Sequence, residues 1–172
     1  MRLSWKIVIA ILLIIPSSCN TDSHQDEDEQ SIVLTDDGSD FSGVNMGDDI
    51  QEVLAKKSSN VVYRMPDELT TRIPLDMKDS TFYEVNFNFD EDGLYVIDLD
   101  FFPKDETAVD ALFEEYSQYY IYHHGDPEKE DNVYYWYTIS AKGSDVEITM
   151  TNESAERKKP TLNISFLEIN GK

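Results

Sequence analysis

The stretch from residue 82 to residue 102, FYEVNFNFDEDGLYVIDLDFF, decides the fold. In its first half Tyr83, Val85, Phe87 and Phe89 alternate with Glu84, Asn86 and Asn88. Successive side chains of a strand point to opposite faces, so this is a strand with one apolar and one polar face. Asp90-Glu91-Asp92-Gly93 has the composition of a turn. Leu94 to Phe102 then runs back with Tyr95, Ile97, Leu99 and Phe101 opposite Asp98 and Asp100. Such a hairpin commits the domain to an antiparallel sheet.

Upstream, Ile50, Val53 and Leu54 have helical spacing behind Asp48 and Asp49, either of which suits an N-cap, and a short helix is expected over 48–57. Residues 60–65 read as a strand ended by Pro66. Downstream, Pro103 precedes a second helix capped by Asp105 or Thr107, with Val109, Leu112, Phe113, Tyr116 and Tyr120 on one stripe and Gly125 ending it. Three further strands are expected at about 132–140, 144–151 and 161–169, with a polar loop over 155–160. The fold class is therefore α+β, a mostly antiparallel sheet with two helices packed on one face. The halves 47–102 and 105–169 repeat the order of helix then strands, which suggests a duplicated module. In element order the layout resembles small envelope lipoproteins of the outer-membrane-assembly type and the tandem β-lactamase-inhibitor fold.

The start of the chain is of another kind. Arg2 and Lys6 precede nine apolar residues, Ile7 to Ile15, then Pro16-Ser17-Ser18 and Cys19, the only cysteine. At about 1.5 Å per residue, nine apolar residues span only half of a bilayer's ~30 Å hydrocarbon core, which favours a secretory signal over a transmembrane helix. Ser17-Ser18-Cys19 resembles the end of a bacterial lipobox. The resemblance implies that residues 1–18 are a signal peptide, removed before Cys19, and that Cys19 carries a lipid anchor of diacylglycerol and fatty acid such as palmitate. A multiply acylated cysteine suffices for stable membrane attachment, at about 0.8 kcal/mol per buried methylene.

Residues 19–40 form an acidic tether, with no apolar residue between Cys19 and Ile32. Its run Asp26-Glu27-Asp28-Glu29 is similar to the export signals of surface lipoproteins in the Bacteroidota, which implies the outer membrane, on its periplasmic or outward side. Ile32-Val33-Leu34 forms a brief apolar patch within it, and a single domain is expected from 41 to 172. Asp79-Ser80-Thr81 resembles the O-glycosylation site of the same envelopes. Asn152-Glu-Ser154 and Asn163-Ile-Ser165 match the N-glycosylation pattern, which a bacterial chain makes incidental.

The 172-residue chain holds 35 acidic against 14 basic residues, a formal charge of −21, with 40% hydrophobic and 12% aromatic residues. That charge repels phosphates, so no nucleic-acid partner is expected. A lone cysteine allows neither an internal disulfide nor a Cys-based metal site. Asn88, Asp90 and Asp92, with Gly93, copy the first half of an EF-hand loop, but Leu99 stands where the bidentate glutamate belongs, so a hairpin turn is the better reading and no metal or other cofactor is expected. His123 and His124 are adjacent rather than i, i+4, which suits a helix end better than a metal site. Asp98 and Asp100 share a strand face, yet no nucleophile-and-base motif accompanies them, and the chain does not read as an enzyme.

Aromatic residues crowd between 116 and 137, and one helix and one strand cannot turn all of them inward. Tyr119, Tyr122, Tyr135 and Trp136 are the candidates for a partner-binding surface, since Tyr and Trp give large contact area at little entropic cost. The expected function is a lipid-anchored, non-enzymatic binding module for a protein or glycan. The alternative is an inhibitor or immunity lipoprotein that neutralises a basic toxin or enzyme.

Overall fold

A computed structural model describes residues 38–76 and 81–169. The expected signal peptide, Cys19, nearly all of the expected tether, and Asp79-Ser80 lie outside the described residues. Eight strands form one sheet, antiparallel throughout, in the order β1-β2-β3-β4-β8-β7-β6-β5. They are β1 (Val61–Arg64), β2 (Glu68–Asp76), β3 (Thr81–Asp90), β4 (Gly93–Phe102), β5 (Glu128–Glu130), β6 (Val133–Ile139), β7 (Asp145–Asn152) and β8 (Leu162–Glu168). Helices α1 (Ile50–Lys57), α2 (Glu106–His124) and α3 (Ser154–Arg157) complete the domain. The first half runs from α1 through β1 to β4, the second from α2 through β5 to β8 with α3 between β7 and β8, and the halves meet where β4 pairs with β8.

The core follows from alternation. Val85, Leu99, Ile164 and Met150 share one row across β3, β4, β8 and β7, and Phe87, Ile97, Phe166, Ile148 and Trp136 the next, all buried. Helix α2 lies on this face: Tyr116 meets Phe101 at 5.2 Å between ring centroids, and Tyr120 meets Trp136 at 5.1 Å. Asp105 caps α2 by accepting from the N–H of Ala108, and Gly125, at φ +86°, ends it. Helix α1 lies beside β2 and adds Val53 to the same core. Asp49 is its cap, with Glu52 completing a capping box. Asp48 instead turns inward, paired with Lys56 and Lys142 at 2.7 Å each.

The chain ahead of α1 straps across both halves. The ring of Phe41 sits 6.3 Å from Phe87 and 6.4 Å from Phe166, and the Asp40 carboxylate accepts from the N–H groups of Met46 and Ala141.

Three expectations need correction. Strand β2 is not among the expected strands, because Pro66 precedes it and Pro74 lies within it. Yet β1 reaches only to Thr71, so at Pro74 the strand has a neighbour on one side alone, where a missing N–H is tolerated. Tyr95 does not face the core. Asn88 pairs with Val96 and Phe89 with Leu94, so Tyr95 is the extra residue of a bulge, and Leu94 is the buried one. The polar loop after β7 contains the short helix α3, and the three-residue strand β5 precedes β6.

Candidate binding face

The sheet face opposite α2 is polar across its centre. One row of Cα-paired residues crosses all eight strands: Tyr63, Thr70, Asn86, Asp98, Ser165, Thr149, Tyr135 and Glu128. At the usual ~4.8 Å between strands this row is roughly 34 Å long. Its members hold one another, with the Thr70 hydroxyl donating to Asn86 Oδ1 at 2.9 Å and the Ser165 hydroxyl hydrogen-bonded to Asp98.

A parallel row carries the ion pairs. Arg72 Nε donates to Glu84 Oε1 at 2.9 Å. Arg157 of α3 reaches Asp100 Oδ1 at 2.9 Å, and Asn163 Nδ2 donates to the same oxygen at 3.0 Å. Asp100 is thereby satisfied although buried. Asp98 is less well provided for. Burial, with the Asp100 charge beside it, pushes its carboxyl above the ordinary range, and Ser165 and Arg157 only partly offset that.

The third row is apolar at one end: Glu68, Asn88, Val96, Leu167, Glu147 and Tyr137. Tyr137 and Leu167 are exposed, as are Ile139 and Ile169 just beyond them. At the other end of the sheet Phe82 and Phe102 pack at 5.0 Å, with Arg72 over one ring and Lys159 over the other.

The four aromatic candidates do not form one surface. Trp136 is 2% exposed and donates its indole N–H to the Gly125 carbonyl at 3.0 Å, so it is core. Tyr135, one residue away, lies on the opposite face, half-buried between Glu128 and Thr149. Tyr119 and Tyr122 sit on α2, on the other side of the sheet; Tyr122 is 83% exposed, and the Tyr119 ring is 4.3 Å from that of His123. Tyr119, His123 and His124 line a cavity of about 170 Å³ with Asp40, Phe41 and Ile139. Burial, with His123 nearby, pulls the His124 imidazole below its ordinary range. The residues the reading missed are Tyr137 and Leu167; the strand alternation that places Trp136 inward already turns Tyr137 outward.

Asn88 lies within β3 opposite Val96, while Asp90 and Asp92 are exposed in the hairpin turn, where Asp90 Oδ1 accepts from the Asp92 N–H at 2.9 Å. Among the described residues no group of three or more His, Cys, Asp or Glu is placed to hold a metal ion, and no helix is long and apolar enough to cross a membrane. Comparison of the chain with protein-family models, curated proteins and solved structures finds no match.

Proposed function

We propose that the chain is a lipid-anchored envelope protein of the outer membrane, acting as a non-enzymatic module that binds a protein or glycan on the sheet face opposite α2. The observation that carries this reading is the long polar row flanked by exposed Tyr137 and Leu167. It offers hydrogen-bonding groups beside apolar contact area, the combination interfaces use. The engagement of Asp100 by Arg157 and Asn163 supports a scaffold over a working carboxylate pair. An inhibitor or immunity lipoprotein is the same module with a basic toxin or enzyme as partner. A leading helix and four strands in each half, with α3 an addition to the second, support a duplicated module.

The anchor rests on Arg2, Lys6, the apolar run and Ser17-Ser18-Cys19. Two measurements test the whole. Metabolic labelling with a fatty-acid analogue should mark the wild type and not Cys19→Ala. A photo-crosslinking residue at position 86 or 137 should capture a partner in intact envelopes while one at position 118 on α2 does not. Equal capture at all three positions, or none, would overturn the binding face.

A further inference from the structure

The exposed apolar side chains at one end of this face form a chequerboard with acids. Tyr137 and Leu167 flank Glu147 in one row, and in the next Ile139 pairs with Asp145, whose carbonyl accepts from the Ile169 N–H at 3.0 Å. Ile139 is 61% and Tyr137 50% exposed. A shallow cavity of about 290 Å³ opens between Tyr137, Ile139 and Ile169. Clustered exposed apolar side chains set among polar ones mark interaction sites. Glu147 is hydrogen-bonded to the Tyr137 hydroxyl, and among the described residues no lysine or arginine forms an ion pair with it.

We propose that this patch docks a basic protein, which seats an apolar side chain between Ile139 and Ile169 and sets lysine or arginine against Glu147. The proposal rests on the sheet face being the binding face, and adds the chemistry of the partner. Charge complementarity selects it. An acidic protein or an anionic lipid surface would meet Glu147 and a molecule of formal charge −21, and a second copy would bring the same charges with it. A glycan gains most from stacking on flat rings, whereas three of the patch's four exposed apolar members, Ile139, Leu167 and Ile169, are branched aliphatics with no such face.

The test uses the full lipidated chain in nanodiscs and three synthetic decapeptides, alternating Leu-Lys, Leu-Glu and Ser-Lys, with affinity read by titration calorimetry. The Leu-Lys peptide should bind about tenfold or more tighter than the other two, and Glu147→Lys and Ile139→Ser should each weaken it about tenfold. Asp110→Lys, the same charge change on exposed α2 surface, should alter it less than about twofold. Unchanged thermal melts verify that each variant is folded. The proposal fails if Asp110→Lys weakens binding as much as Glu147→Lys, if the Leu-Glu or Ser-Lys peptide matches Leu-Lys, or if Leu-Lys does not bind. It fails too if binding first requires Ile32, Val33 and Leu34 to be changed to serine, since the chain's own segment would then occupy the patch. Dimers dissociated by Glu147→Lys would assign the patch to a second copy and overturn the proposal as well. Capture of a glycan at position 137 with no Leu-Lys binding would sink this inference and leave the binding-module reading standing.

Discussion

A Cβ placed on Gly93 would lie 2.8 Å from the carbonyl oxygen of Gly47, so the β3–β4 turn and the chain leading to α1 meet where only hydrogen fits. Backbone hydrogen bonds fasten the contact on either side, from Gly47 N–H to the Leu94 carbonyl at 2.8 Å and from Leu94 N–H to the Asp48 carbonyl at 2.9 Å. Gly93 also has φ +119°, which L side chains rarely adopt. Gly93→Ala is therefore expected to cost about 3 kcal/mol or more, read from urea midpoints. A loss under about 1 kcal/mol would mean that the turn does not bear on Gly47.

Asp48 joins the two halves electrostatically through Lys56 and Lys142. Burial alone would raise its carboxyl, but the hydrogen bonds from Lys142 and Lys56 outweigh it and hold the group below its ordinary 3.8. A carboxyl lowered by folding stabilises the fold above its unfolded value, and that contribution drains away as pH falls through the folded value. Asp48→Asn should cost about 2 kcal/mol at pH 7, modest for a buried acid because both lysines are partly exposed and rehydrate. The gap to wild type should narrow in denaturant melts well below pH 3.8.

Asp98 has the opposite sign. Its carboxyl is raised on folding, so the ionised form costs stability above the folded value, and the cost vanishes on protonation as pH falls below the ordinary 3.8. Asp98→Asn should therefore melt higher than wild type at pH 7, and the advantage should disappear in acid. A lower melting temperature at pH 7 would show that the carboxylate is held by more than Ser165 and Arg157.

Three aromatic substitutions separate core from surface. Trp136→Ala removes a 2%-exposed side chain and its bond to Gly125, and should cost about 3–5 kcal/mol. Tyr122→Ala, at an 83%-exposed position, should change stability by less than about 0.5 kcal/mol and leave partner capture intact. Tyr137→Ala should also leave stability nearly unchanged, yet reduce capture at position 86. Reduced capture by Tyr122→Ala in place of Tyr137→Ala would return the binding surface to α2.

The strong period-two pattern made β3 legible residue by residue, and the cap candidates, Asp48 or Asp49 and Asp105 or Thr107, marked the starts of α1 and α2, with Asp49 and Asp105 the ones used. Strand β2 was hidden because its inward side chains, Leu69, Thr71 and Ile73, are modest ones between two prolines, and what makes it a strand is the apolar face of β3 beside it. The bulge at Tyr95 was invisible for a related reason. A one-residue slip reverses every later side chain, and only pairing with β3 fixes where it falls. At the site, composition revealed an excess of aromatics but not their sidedness. Tyr135 and Trp136 are neighbours in sequence and lie on opposite faces of the sheet.

The strap of residues 40–46 also bears on how the domain comes apart. Phe41 touches Phe87 in one meander and Phe166 in the other, while the neighbouring Asp40 grips Ala141. It works as a clasp, because neither meander can peel away at the β4–β8 seam without also surrendering those contacts. Calorimetric melting is accordingly expected to show one transition with matching van't Hoff and calorimetric enthalpies. Asp40→Ala should loosen the clasp and split or broaden that transition.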